Sequence, residues 1–351
     1  MRALTVRPGS GDPLVEDVSE PDPALGSVLV DGLLVGICGT DHELLSGVYG
    51  EAPAGRERLV VGHESLGRVR DAGGADGLAE GDLVVGIVRR PDPEPCPACA
   101  AGDWDFCRNG RYTEHGIVRL DGFCAQRWRE DPGHLVLVDP ALGDAGVLLE
   151  PASVVAKAWQ QVERVGDRGQ WRPRTALVTG AGPVGLLAAL LAVQRGLETH
   201  VLDLAEDGPK PALVSALGAE YHVGKADEVG LSPDVVIECT GAAPVVLAAL
   251  SVVANAGVVC LTGVGAGGRV AVDAAGLGTE LVLENNVVVG TVNANRGHYE
   301  SAAAALLDAD HDWLERLITR RVPLERAVEA LDPQEDDVKV VVEIATSAPS
   351  A

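Results

Sequence analysis

The sequence predicts an α/β protein in which a doubly wound parallel sheet is joined to a mostly β domain. Three observations predict it. Over the middle of the chain, apolar strand-like runs alternate with Ala-rich helical stretches; a glycine-rich turn lies between the first of those runs and the helix after it; and the part before Ala145 reads as short strands broken by Gly and Pro.

A length of 351 residues exceeds what one hydrophobic core serves, so two domains are expected. In the first, β-like runs at 28–35, 65–70, 83–88, 117–120 and 134–138 predict an antiparallel or barrel-like arrangement. A helical segment at 145–165 marks the change of texture. Apolar runs at 175–180, 199–204, 235–240, 258–264 and 287–292 then alternate with helical stretches such as 184–194 and 244–253. Strand, helix, strand repeated in this way predicts parallel strands with crossover helices. After Asn293 come three helical stretches and a last β-like run at 338–344, too little for a core of their own. They are expected to return to the first domain, giving a catalytic domain at 1–155, a nucleotide domain at 156–292 and a catalytic remainder at 293–351.

The composition, 46% apolar and 23% charged without a low-complexity tract, is globular. Acidic residues outnumber basic ones 52 to 28, and the net charge of -24 repels phosphate backbones and anionic lipid, which argues against nucleic-acid and membrane partners. The start Met-Arg-Ala-Leu-Thr-Val-Arg-Pro has no apolar signal core and no later run is long enough to span a bilayer, so a cytoplasmic location is expected. Seven cysteines in such a chain point to reduced thiols and metal ligands rather than disulfides. Of these, Cys124, Cys239 and Cys260 lie in apolar surroundings and are expected to be packing residues.

Gly180-Ala181-Gly182-Pro183-Val184-Gly185 closes an apolar strand and opens an apolar helix, the context a dinucleotide fingerprint requires. Gly180 permits the tight turn, Gly182 a close backbone approach to a pyrophosphate, and Gly185 close helix–strand packing. The helix amino terminus would face the negative charge. Asp203 ends the next run, eighteen residues after Gly185, where a carboxylate can accept hydrogen bonds from both ribose hydroxyls of NAD. Leu204-Ala205-Glu206-Asp207 supplies no Arg for a 2′-phosphate, so NAD is expected to be preferred over NADP.

Cys38, His63 and Glu150 each lie next to a turn or an element end and would supply three ligands to a catalytic zinc with one position open, Glu64 being an alternate ligand or a support for one. Spacing alone also fits a buried thiol and a hydrogen-bonded histidine.

The strings Gly36-Ile37-Cys38-Gly39-Thr40-Asp41 and Gly62-His63-Glu64, followed by the central glycine turn, resemble the zinc-containing medium-chain dehydrogenases over essentially the whole chain. Within that group the sequence is most similar to the glucose dehydrogenases of archaea and some bacteria. Arg89-Arg90-Pro91, Glu114-His115-Gly116-Ile117, Asp121-Gly122-Phe123, Asp131-Pro132, Glu150-Pro151, Thr291-Val292-Asn293 and Val338-Lys339 carry the likeness. The resemblance implies a GroES-like catalytic domain, a Rossmann nucleotide domain and a homo-oligomer, dimer or tetramer.

It also implies a structural zinc lobe at Cys96, Cys99 and Cys107, spaced C-x2-C-x7-C. Where the family has a fourth cysteine, Pro93 stands here, and Asp92 or Glu94 could replace it. By the same resemblance Thr40 receives the substrate proton and His42 passes it on, with Glu64 beside them, while Thr40, Glu114, Glu150 and Asn293 face the sugar. The cofactor would meet the glycine turn, Asp203, Thr240, Gly241, Gly263, Val264, Asn293 and Lys339. Two polar sugar contacts of some archaeal members fall here on Val154 and Leu283, which leaves the sugar open.

Zinc lowers the pKa of a bound hydroxyl and so favours hydride loss to nicotinamide, which requires metal and cofactor to share one cleft. The expected reaction is oxidation of an aldose at C1, D-glucose to gluconolactone, with NAD. A polyol or secondary alcohol is the alternative substrate. A catalytically inactive nucleotide sensor is the alternative of another class, against which the joint presence of Cys38, Thr40, His63, Glu64 and Glu150 argues.

Overall fold

Val28–Ile37 is the longest strand, rich in Val and Leu, and it lies at the centre of a seven-stranded sheet. The computed structural model describes residues 1–265 and 270–345, which form two units, one of 1–150 with 293–345 and the other within Pro151–Val292.

In the first unit the sheet runs Leu135–Leu137, Leu83–Gly86, Glu64–Asp71, Val28–Ile37, Lys339–Glu343, Ile318–Pro323, and Arg127–Glu130 also pairs with Val28–Ile37. The late strand is antiparallel to the early one, with Val340 opposite Ile37 and Val342 opposite Val35, so the return after Asn293 is made by backbone pairing. Val30, Val35, Val69, Val84, Phe123, Trp128 and Val342 fill the core beneath it. Two three-stranded sheets flank it, and one of them, Arg89–Arg90 with Thr113–His115 and Arg119–Leu120, carries Glu114.

Two expectations change here. The run at 117–120 is a strand only at Arg119–Leu120. The helix expected from 145 begins at Leu149 and ends at Gly166, after a tight helical stretch Pro140–Leu148 kinked at Gly143, whose φ of 50° breaks the regular helix.

The second unit is a six-stranded parallel sheet in the order Glu220–Val223, Glu198–Asp203, Thr175–Thr179, Val235–Glu238, Val258–Leu261, Val287–Gly290. Its helices include Pro183–Gln194, Pro209–Ala216, Ala243–Val252 and Ala274–Glu284. The central strands are buried on both faces and read as unbroken apolar runs, which is why they are visible in sequence. Glu220–Val223 and Ile318–Pro323 are strands with no sequence counterpart above, because polar residues interrupt both. Among the described residues no helix is long and apolar enough to cross a membrane.

Candidate active site

Cys38 directly follows the strand Val28–Ile37 and caps the helix Gly39–Ser46, with the Thr40 amide donating to its sulfur at 3.3 Å. His63 directly precedes the neighbouring strand Glu64–Asp71, and its Nε2 lies 3.0 Å from Cys38 Sγ. Donor atoms of Cys38, His63 and Glu64 all fall within 4.8 Å of one another. Space for the Glu64 carboxylate comes from Gly36, directly opposite in the sheet, where a Cβ would stand 1.9 Å from Glu64 Oε2.

A residue outside the expected set completes this group. Asp41 is buried, accepts from the Cys38 amide at 2.9 Å, and presents its other oxygen 3.7 Å from His63 Nδ1. Neither of those facing atoms has another hydrogen-bond partner. A carboxylate behind a ligating histidine fixes the ring and its tautomer. Burial alone would push the His63 pKa down, but Cys38 and Asp41 hold it well above its ordinary value, so the surroundings favour positive charge. Sulfur, nitrogen and carboxylate donors in a setting that stabilises a cation fit zinc.

Glu150 is buried but is not in the group within 4.8 Å. Burial, with Glu64 and Glu114, raises its pKa to about 7 against the pull of His63 and Lys339. Lys339, expected at the cofactor, is buried in this unit, its ammonium donating to Glu64 at 2.8 Å and 2.5 Å and to the Ile37 carbonyl at 3.1 Å. Thr40 is half-buried at the second position of its helix. His42 has both ring nitrogens facing carbonyl oxygens, of Cys38 and Leu331, each at 3.1 Å.

Two expected sugar contacts meet in the same unit. Asn293 Nδ2 donates to Glu114 Oε1 at 2.9 Å, and Arg89 and Tyr49 bind the same carboxylate, at 3.0 Å each. Asn293 adopts φ 61°, a left-handed conformation that asparagine tolerates. Arg89 was visible only as part of a motif, and nothing singled out Tyr49. Val154 is half-buried, whereas Leu283 is largely exposed.

In the lobe, Cys96, Cys99 and Cys107 bring their sulfurs within 4.8 Å, with Cys96 and Cys99 3.6 Å apart and all cysteines free. Backbone N–H groups of Arg108 and Cys99 hold the Cys96 thiol below its ordinary pKa, which favours the ligating thiolate. Asp92 is not part of the cluster: its carboxylate takes Arg111 at 3.2 Å and the Glu94 amide at 2.8 Å, while Glu94 is exposed and also held by Arg111. Cys124 and Cys260 are fully buried, and Cys239, half-buried, contacts the Thr262 hydroxyl.

In the nucleotide unit the glycines have distinct tasks. Gly180 has φ 90°, and a Cβ on Gly185 would lie 1.8 Å from the Gly180 carbonyl oxygen. Gly182 caps the helix Pro183–Gln194 and a Cβ there would meet nothing within 4 Å, so the backbone is open to an incoming anion. Gly241 and Gly263 pack backbone to backbone, a Cβ on Gly263 falling 2.1 Å from the Gly241 nitrogen. Beneath them Glu238, fully buried, accepts from the Thr240 and Gly241 amides at 2.8 Å and 3.1 Å, a role its apolar run concealed. Val264 is exposed beside this turn. These features fit a dinucleotide.

Asp203, expected to accept from the ribose, already has partners within the chain. It accepts from the amides of Ala181 at 2.6 Å, Leu204 at 2.8 Å and Ala205 at 3.1 Å, and from the Lys210 ammonium at 3.1 Å. Burial would raise its pKa, yet the amides and Lys210 keep it low. The segment 204–207 indeed has no Arg, but Lys210 brings a cation to the same place.

A mostly β unit bearing the Cys38 group, with a separate parallel sheet built for a dinucleotide, defines an oxidoreductase of the zinc-containing medium-chain alcohol dehydrogenase class. Residues 24–139 match the family description "Alcohol dehydrogenase GroES-like domain" and residues 143–344 match "Glucose dehydrogenase C-terminus". The chain belongs to the glucose dehydrogenase family. Glucose 1-dehydrogenase of Methanocella arvoryzae is 40% identical over 98% of this chain and 99% of that protein, and the enzyme of Thermoproteus tenax is 42% identical over 99% and 100%. A solved structure of Haloferax mediterranei glucose dehydrogenase in complex with NADP, Zn and gluconolactone superimposes with a TM-score of 0.91 at 32% identity, covering 99% of this chain and 100% of that one.

Proposed function

We propose that this chain oxidises D-glucose at C1 to gluconolactone with a nicotinamide dinucleotide as acceptor, NAD ahead of NADP. The observation that carries the sugar reading is the buried Glu114–Asn293 pair, braced by Arg89 and Tyr49, in the unit that also holds the Cys38 group. A simple aliphatic alcohol is served by an apolar pocket, whereas a ring of hydroxyls needs fixed carboxylate and amide partners.

Held by Cys38, His63 and a carboxylate of Glu64 or Glu150, zinc supplies the Lewis acidity that lowers the pKa of a substrate hydroxyl. The bound dinucleotide supplies the hydride acceptor. The chain does the rest by position. Asp41 holds the His63 ring, and Lys339 fixes Glu64. Thr40 Oγ1 takes the hydroxyl proton and His42 receives it in turn, its ring nitrogens already facing two carbonyl oxygens that accept N–H. Glu114, Glu150 and Asn293 orient the sugar. In the lobe the three thiols would serve as ligands to a structural zinc; Asp92 or Glu94 would have to leave Arg111 to act as the fourth.

Asp203 accepts the ribose hydroxyls, and Lys210 narrows the resulting preference for NAD by offsetting its charge. Self-association as a dimer or tetramer is part of this reading: Val287–Gly290 is an outer strand, and the helix before it exposes Val282 and Leu283, each 75% accessible. Light scattering that reads a monomer would remove that part.

Initial rates of NADH and NADPH formation across sugars, polyols and secondary alcohols, with and without a chelator, test the whole. Glucose is expected to lead and the chelator to abolish turnover. A leading polyol would replace the substrate assignment, and cofactor binding without turnover of anything would leave a sensor.

A further inference from the structure

A third group of side chains able to ligate a metal lies in the nucleotide unit. Glu198 and His200 point to one face of the strand Glu198–Asp203. Its edge neighbour Glu220–Val223 pairs in parallel register, His200 opposite Glu220 and Leu202 opposite His222, so all four polar residues share that face.

The distances are short. His200 Nδ1 lies 2.9 Å from His222 Nε2 and 3.6 Å from Glu220 Oε2, and Glu220 Oε1 is 3.9 Å from His222 Nε2. One donor atom from each of the three falls within 4.8 Å of the others. The second ring nitrogen of His200, buried and without a hydrogen-bond partner, faces Glu198 Oε1 at 3.6 Å. The His200 side chain is 4% exposed while that of Glu220 is 68% exposed, so the group is rooted in the sheet and open to solvent on one side.

Proton placement explains what this arrangement wants. If His200 Nδ1 donates to His222, its Nε2 is a bare acceptor buried against a carboxylate. If instead Nε2 carries the proton toward Glu198, the Nδ1 lone pair points at His222 and Glu220, where a cation would gather all three donors. A carboxylate on the far nitrogen of a ligating histidine is the usual support for such a ligand.

We propose that this face binds one divalent transition-metal ion through His200 Nδ1, His222 Nε2 and a Glu220 oxygen, with Glu198 holding His200 Nε2. Two imidazoles and one carboxylate select zinc, cobalt, nickel or copper over magnesium and calcium. The ion joins the edge strand to its neighbour, where Tyr221 already donates to the Ala205 carbonyl at 2.7 Å and the Gly224 amide to the Asp203 carbonyl at 3.3 Å. Its occupation steadies the strand end that carries Asp203 without entering the reaction.

Zinc or cobalt is titrated by calorimetry into holoenzyme freed of loosely held metal by gel filtration. One additional site per chain is expected, weakened at least about tenfold in His222→Gln and in Glu220→Gln, the scale of losing one ligand. Glucose turnover should be unchanged in both. Cobalt in the added site should show weak d–d absorption with no sulfur charge-transfer band, which separates it from any ion at Cys38 or Cys96. Zinc should raise the melting temperature of the wild type and not of the variants. Equal metal uptake by wild type and both variants, or a sulfur charge-transfer band on the added ion, would overturn the assignment. If His222→Gln does not fold, the exposed Glu220→Gln decides alone.

Discussion

Replacing Lys210 with methionine should widen the preference for NAD over NADP by roughly a hundredfold in kcat/KM. The Lys210 ammonium lies 3.1 Å from Asp203 Oδ1, with the two side chains 23% and 13% exposed, so the pair is close to neutral as a unit. A phosphate charge about 5 Å from either group, at an effective dielectric constant of about 20, interacts with each by about 3 kcal/mol. With both present, repulsion and attraction nearly cancel, and the wild type should favour NAD by about tenfold or less. Without Lys210 the repulsion stands alone, and about 3 kcal/mol is about two decades in kcat/KM. Asp203→Ser should do the reverse and turn the enzyme toward NADP. Initial rates with each cofactor at saturating glucose give the ratio, and calorimetry with adenosine 2′,5′-bisphosphate reads the same contact without catalysis. An unchanged ratio in Lys210→Met, together with unchanged binding of the bisphosphate, would refute the reasoning and leave Lys210 as a partner of Asp203 only.

Three further outcomes are expected. Thr40→Val should lower kcat by roughly 100-fold while KM for glucose moves little, as for loss of a proton-transfer group; an equal kcat would leave Thr40 a helix residue only. Asp41→Asn keeps an oxygen for the Cys38 amide but removes the charge behind His63, so zinc affinity measured by chelator competition should fall about 10- to 100-fold; unchanged affinity would make Asp41 a helix cap and no more. Cys99→Ser should lower the melting temperature far more than low-temperature turnover, since its sulfur belongs to the Cys96 and Cys107 group; an unchanged melting curve would mean that the lobe holds no metal.

Cys38 and His63 were singled out beside glycine turns, and the resemblance carried the metal reading, with Glu150 as third ligand and Glu64 only as its alternate; the nucleotide unit was legible because its buried strands are apolar runs. What stayed hidden at the sites depends on register and distance. Asp41 at the third helical position reads equally well as a cap, and only the 3.7 Å approach of His63 shows its second task. Lys210 follows Asp203 by seven residues, beyond the segment in which an Arg was sought. Glu238 ends an apolar run, where a buried carboxylate is costly unless local amides satisfy it, as those of Thr240 and Gly241 do. The strands Glu220–Val223 and Ile318–Pro323 lack the apolar pattern because each lies at a sheet edge, where pairing on one side suffices.

The strand Lys339–Glu343 pairs with Val28–Ile37 and carries Lys339 to Glu64, 275 positions earlier. During synthesis the nucleotide unit, a single uninterrupted segment, can fold while the ribosome is still adding the residues after Asn293. The catalytic unit cannot: Arg127–Glu130 covers only the Val28 end of its central strand, and the Ile37 end stays unpaired and the Glu64 carboxylate without its counter-charge until Lys339–Glu343 emerges. The parallel sheet can therefore form before the group around Cys38 and Glu64 is complete. Until then the open strand edge is the part most exposed to misassembly with a neighbouring chain.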